Sequence, residues 1–213
     1  MNWFIQTIET PVGKKLLMSI TGLFFCMFLM IHLIGNLTLY AGQDTFNSYV
    51  DHLHALGILI NIAEVCLLFS AAVHVFTGIR LFLGNWKARP KRYALYQSSG
   101  GRTIGSATMP YTGIILLFFI VIHLIQFHFA DHGIQTVFQI VSGAFSNPIN
   151  VLIYIVASFV AGLHVSHGLW SAVQTLGINH SKYIQLIYGA SLALSLCVAI
   201  GFGFIPVYIV MMT

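Results

Sequence analysis

The sequence predicts an all-α integral membrane protein with five transmembrane helices, and three observations predict it. Hydrophobic residues make up 58% of the 213 and charged residues only 7%, more apolar surface than a soluble domain of this length can bury. Five apolar stretches each reach the roughly 20 residues that a bilayer-spanning helix needs. The charges concentrate in short polar segments between or at the ends of those stretches.

The spans run near 15–40, 57–84, 110–130, 149–176 and 183–211, with polar segments at 41–56, 85–109, 131–148 and 177–182. Residues 1–14 read as a short leader, an interfacial helix with Trp3 and Phe4 at headgroup depth. They are not expected to form a cleavable signal peptide, because no short apolar run ends there at a small-residue site. Cys26, Cys66 and Cys197 lie far apart inside apolar runs, without metal spacing or a disulfide framework, and read as packing residues.

Charge predicts the orientation. All nine Lys and Arg fall at or near one side: Lys14, Lys15, Arg80, Lys87, Arg89, Lys91, Arg92, Arg102 and Lys182. Asp44, Asp51 and Asp131 fall in the two opposite segments, which hold no Lys or Arg. By the positive-inside rule the N-terminus and the 85–109 segment are cytoplasmic and the C-terminus is outside.

The chain reads as one domain with an internal repeat, approximately 15–84 and 110–176, followed by the fifth span. Thr21-Gly22 precedes Ile31-His32-Leu33-Ile34, and 91 residues later Thr112-Gly113 precedes Ile122-His123-Leu124-Ile125. His74-Val75 with Gly78-Ile79-Arg80 matches His164-Val165 with Gly168-Leu169-Trp170. The repeats run parallel, so their natural symmetry axis lies along the membrane normal. Four spans are then expected to form an antiparallel bundle with a core between them, with the fifth packed outside it.

Four of the ten histidines thus occupy matched places, one in each of the first four spans. An intramembrane histidine is costly and usually faces the bundle interior. A single one is well explained by a hydrogen bond to a neighbouring helix; four matched ones point to axial ligation of two six-coordinate haem irons. Depth predicts the pairing. His32 lies 12 residues before Asp44 and His123 lies 8 before Asp131, roughly 12–18 Å from the outer polar edge at 1.5 Å per residue. His74 and His164 lie deeper. His32 and His123 are therefore expected around a distal haem, His74 and His164 around a proximal one.

Gly78 and Gly168, one turn beyond the inner ligands, either leave room for a porphyrin or allow close helix packing. His167 competes with His164, sharing its face three residues on; the repeat favours His164 and leaves His167 for a haem propionate or a neighbouring helix. Arg80, six residues past His74 and so roughly 9 Å nearer the cytoplasm, suits either a propionate or a positive-inside anchor. His128 reads as interfacial, and His52, His54, His132 and His180 lie in segments between spans or at their ends.

The run from Thr21-Gly22 through His32-Leu33-Ile34-Gly35-Asn36-Leu37, with Gly78-Ile79-Arg80 after His74 and Gly168-Leu169-Trp170 after His164, resembles the cytochrome b558 membrane subunit of succinate:quinone oxidoreductases. More narrowly it resembles the single-subunit, five-helix, dihaem type of menaquinone-using bacteria, over nearly the whole chain. The resemblance implies a bacterial inner-membrane anchor carrying two haem b, with a flavoprotein bearing FAD and an iron–sulfur subunit docked on the cytoplasmic side. Electrons would pass between the iron–sulfur clusters and menaquinone through the proximal and then the distal haem, with succinate and fumarate handled in the flavoprotein. The resemblance also makes Ser19 a propionate contact. Some family members carry a glutamate of a proton path two residues before the fourth ligand, where this chain has Gly162.

Quinone chemistry exchanges protons and needs a titratable group near the distal haem. Asp51, His52 and His54 lie on the outer side at the start of span two, and Glu64 is the only acid well inside a span. Asp51, His54 and Glu64 are the candidates. Two rival readings remain: the dihaem anchor of another quinone-linked dehydrogenase, and a small parallel-repeat transporter that binds no haem.

Overall fold

The structure, a computed structural model, describes residues 3–88, 104–131, 133–178 and 180–212. Among the described residues every regular element is helical. A short helix α1 (Trp3–Glu9) leads into α2 (Pro11–Leu37), a 3-10 turn (Thr38–Ala41) and α3 (Gln43–His54). Then come α4 (Ile58–Lys87), α5 (Ile104–His123) continued by a π-helical segment (Leu124–His128), α6 (Val137–Phe145), α7 (Pro148–Thr175) and α8 (Ile184–Met212).

The starts of the long helices are written locally. Thr10 accepts a 2.9 Å hydrogen bond from the Gly13 amide, and Pro11 occupies the first turn of α2, where no intrahelical N–H is required. Asn147 caps α7 in the same way, accepting from the Ile149 amide at 2.9 Å ahead of Pro148. Thr136 and Gln139 form a reciprocal capping box on α6.

Five helices are long and apolar enough to cross a membrane: Pro11–Ala41, Ile58–Lys87, Ile104–His128, Pro148–Thr175 and Ile184–Met212. The protein is a multi-pass, all-α membrane protein. Faces left uncovered by other helices are apolar, as on α4, where Leu59, Ile62, Val65, Leu68 and Phe69 are exposed. Contact with lipid requires such faces.

Two polar segments differ from the sequence expectation. Residues 41–56 and 131–148 are not simple loops, because they contain α3 and α6. Each is too short to span a bilayer but amphipathic enough to bury one face, Phe46 on α3 and Ile140, Val141 and Phe145 on α6. The two helices pack together, and the Phe138 amide donates to Asn47 at 3.2 Å. With Leu39, Tyr154, Ile205 and Ile209 they close one end of the molecule in an apolar cluster. At the other end α5 begins at Ile104 and runs through Pro110, so the last residues of the 85–109 segment are helical. Arg89, Lys91, Arg92, Arg102 and His132 lie outside the described residues.

α2 packs against α4 and α7, and α5 packs against α7. α8 lies along α7 through a buried strip of small residues that includes Ser191, Ser195, Ala199 and Gly203. Small residues let two backbones approach, the main source of attraction between helices in lipid. α8 also reaches α2: a Cβ added at Gly201 would sit 2.8 Å from Leu33.

Candidate functional site

The four matched histidines meet in two pairs. The rings of His32 (α2) and His123 (α5) have centroids 5.9 Å apart, and those of His74 (α4) and His164 (α7) lie 6.4 Å apart. Each pair joins helices that do not otherwise pack closely, so the rings meet across the interior. The pairing is the one that depth along the chain predicts.

Both inner rings are held by the same device. The Thr21 hydroxyl donates to the Leu17 carbonyl at 2.7 Å, one turn back on its own helix. Its lone pairs are thereby left to accept from His74 Nδ1, at 2.9 Å. In the second repeat the Thr112 hydroxyl donates to the Met109 carbonyl at 3.1 Å and accepts from His164 Nδ1 at 3.0 Å. A proton fixed on Nδ1 leaves Nε2 bare, which is the form of imidazole that binds a metal. The glycine after each threonine leaves room for the ring: a Cβ at Gly22 would meet His74 Cε1 at 3.6 Å, and one at Gly113 would meet His164 Cε1 at 3.5 Å. The sequence displayed both Thr-Gly pairs as part of the repeat, but nothing in a one-dimensional pattern says which side chain on another helix they touch.

The surroundings of Gly78 and Gly168 also repeat. A Cβ at Gly78 would meet the end of Met18, 3.6 Å away, and one at Gly168 the end of Met109, 4.0 Å away. Met18 and Met109 are themselves 91 residues apart. Flexible thioethers are the side chains most easily rearranged around a guest.

The other pair is held differently. Phe28 stacks on His32 at 5.3 Å and Phe202 of α8 lies 5.6 Å from it, so the fifth span contributes a ring to this site. Asn36 Nδ2 donates to the His32 carbonyl at 2.8 Å. His123 Nδ1 faces the Tyr154 hydroxyl at 3.4 Å, and Phe119 and Phe127 flank the ring. Directly after His123 the helix widens to a π segment, with the Phe129 amide bonded to the Leu124 carbonyl at 2.9 Å. The extra residue in that turn changes which faces Gln126 and His128 present, a device common at functional sites.

Each pair could present two imidazole nitrogens to one metal ion. A metal–imidazole bond is about 2.0 Å, so two rings sharing one ion hold their centroids roughly 6 Å apart. Both pairs meet that spacing. Among the described residues no group of three or more His, Cys, Asp or Glu is placed to hold an ion.

The remaining candidates are placed as follows. Arg80 and Lys14 line a cavity of about 210 Å³ at the α1 end, and Arg80 lies 3.8 Å from Glu9. Ser19 is buried and donates to the Lys15 carbonyl at 2.9 Å, within its own helix. His167 lies on α7 beside Gly105, and its Nδ1 is buried with no hydrogen-bond partner among the described residues. Asp51 and His54 are exposed on α3. Glu64, exposed on α4, lies 3.8 Å from His128 Nδ1. A second cavity of about 360 Å³ opens beside α6, between Gln126, Asp131, Gln135, Gln139 and Asn150, and Asp51, His54 and Glu64 do not line it.

Fold and site together define a multi-pass helical membrane protein with two facing histidine pairs in its interior. No protein-family model, no curated protein and no solved structure matches the chain.

Proposed function

We propose that the chain is the dihaem membrane anchor of a succinate:menaquinone oxidoreductase or quinol:fumarate reductase, carrying electrons between an iron–sulfur subunit and menaquinone. The observation that carries the reading is the doubled His–Thr geometry. Two imidazole pairs face each other at 5.9 and 6.4 Å between ring centroids, and in one pair each Nδ1 lies within hydrogen-bond reach of a matched threonine hydroxyl that can hold its proton.

When bound, haem b would supply reversible one-electron chemistry. His74 and His164 would hold the proximal group, and His32 and His123 the distal one. Thr21 and Thr112 keep the proton on Nδ1 and fix ring orientation. Lys14 and Arg80 place positive charge near the proximal pair, where propionates need donors, and the bare Nδ1 of His167 offers another polar contact. Phe28, Phe119 and Phe202 exclude water from the distal pair.

The positive-inside charge supports an α1 end on the cytoplasmic side, and in a bacterial inner membrane the iron–sulfur and flavoprotein subunits would dock there. Menaquinone would then react at the outer end beside His32 and His123, because two groups stacked across a membrane are needed only if electrons cross it. Asp51, His54 and the Glu64–His128 pair supply candidate proton carriers there.

The test is pyridine haemochrome analysis with reduced-minus-oxidised spectra of the purified chain. Two low-spin b-type haems per polypeptide are expected. A chain purified from haem-replete cells with no haem would leave the transporter reading, and one haem would break the symmetry argument.

A further inference from the structure

Three of the four interior rings end on a hydroxyl, but the hydroxyl facing His123 is not on a neighbouring turn of the same kind. It belongs to Tyr154, whose ring is buried between Phe119, Phe127 and Phe145. Tyr154 lies ten residues before His164, the place that Glu64 holds relative to His74. The repeat therefore diverges at this position.

The hydrogen bonds beyond Tyr154 have a forced direction. Asn150 Nδ2 donates to the Ala144 carbonyl at 2.8 Å, and a carbonyl can only accept. Asn150 Oδ1 is then the atom that accepts from Gln126 Nε2, at 3.1 Å. That turns Gln126 Oε1 toward Tyr154, whose hydroxyl donates to it at 2.8 Å. With its proton committed, the Tyr154 oxygen can only accept from His123 Nδ1, at 3.4 Å. One backbone carbonyl on α6 thus dictates, through three side chains, which nitrogen of His123 is bare. The π segment makes this possible, because it turns Gln126 toward α7.

We infer that Tyr154, Gln126 and Asn150 are positioning residues that fix the tautomer of His123 and set its strength as a ligand, independently of the His74–His164 pair. The inference rests on the haem reading for its redox consequence but not for the tautomer. A ligand whose N–H is held by an acceptor is the more basic donor and favours the higher charge on a metal. Removing the acceptor should therefore raise the midpoint potential of the distal haem and leave the proximal one unchanged.

The experiment uses the full-length chain. Tyr154→Phe and Gln126→Leu should each shift the distal potential upward, with altered g-values in its electron paramagnetic resonance signal. Gln126→Glu, which keeps an acceptor for the tyrosine, should stay at or below the wild-type potential. Thr21→Val should move only the proximal haem. Equal movement of both haems in Tyr154→Phe, or none, overturns the inference. The haem-free arm is nitrogen-15 NMR of imidazole-labelled protein, with His123→Gln to assign the signal. Wild type should carry its proton on Nδ1, and Tyr154→Phe should lose that preference. A His123 protonated on Nε2 overturns the inference even if no haem binds, whereas a correct tautomer without haem overturns only the haem reading.

Discussion

The Ser195 hydroxyl of α8 donates a 2.7 Å hydrogen bond to the Gly162 carbonyl of α7, and the two backbones approach so closely that no side chain fits between them. A Cβ added at Gly162 would lie 2.8 Å from Ala199 Cβ and 2.9 Å from the Ser195 carbonyl oxygen. Gly162 therefore faces the fifth span. The absence of a carboxylate two residues before His164 is tied to how α7 and α8 pack.

Gly162→Ala should destabilise the protein by about 1–3 kcal/mol, the usual cost of forcing a methyl group into a close-packed contact. Thermal unfolding in detergent checks this as a lowered Tm. Gly162→Glu should fail to assemble, since it adds a carboxylate to the same gap. A Gly162→Ala variant as stable as wild type would show that α7 and α8 can separate without penalty.

Thr21→Val and Thr112→Val keep shape but remove the acceptor for His74 and His164. Each should cost about 0.5–1.5 kcal/mol for the lost hydrogen bond, more if Nδ1–H finds no other partner. Thr→Ser at either position should restore it. Melting curves report the cost, and haem content reports whether the proximal group is retained.

On the proposed dihaem reading, alanine at His74 or His164 should remove the proximal haem only, and alanine at His32 or His123 the distal one only. His167→Ala should keep both. Loss of a haem in His167→Ala with both retained in His164→Ala would exchange the two roles on α7.

If the chain serves the proposed quinone reaction, Glu64→Gln should lower quinone-linked turnover severalfold while leaving haem content intact, because it removes the carboxylate beside His128. Asp51→Asn and His54→Gln test the α3 candidates in the same assay. Unchanged rates in all three would move the quinone site elsewhere, and the cavity beside Gln126 and Asn150 would be the next to mutate.

In the proposed assembly and orientation, cross-linkers placed at Lys14 and Lys87 should capture an iron–sulfur partner. Labelling of either lysine from outside the cell would invert the topology.

The five spans could be read from the sequence because lipid imposes a length and a polarity that no local interaction can disguise. The histidine pairing could be read because depth follows residue number in a helix, and the parallel repeat puts His32 level with His123. Helices α3 and α6 were hidden for the opposite reason. At twelve and nine residues they fall below any spanning length, and only a partner surface reveals that Phe46 or Phe145 is buried. Thr21 and Thr112 stood in the motif from the start, but their acceptor role depends on a ring 53 and 52 residues away on another helix. Gly162 likewise looked like a missing acid until α8 was seen against it. Composition and periodicity fix where each spanning helix lies and how deep its residues sit. The rotation of one helix against the next, and so the partner of each side chain, follows from packing between segments distant in the chain, which only the tertiary structure decides.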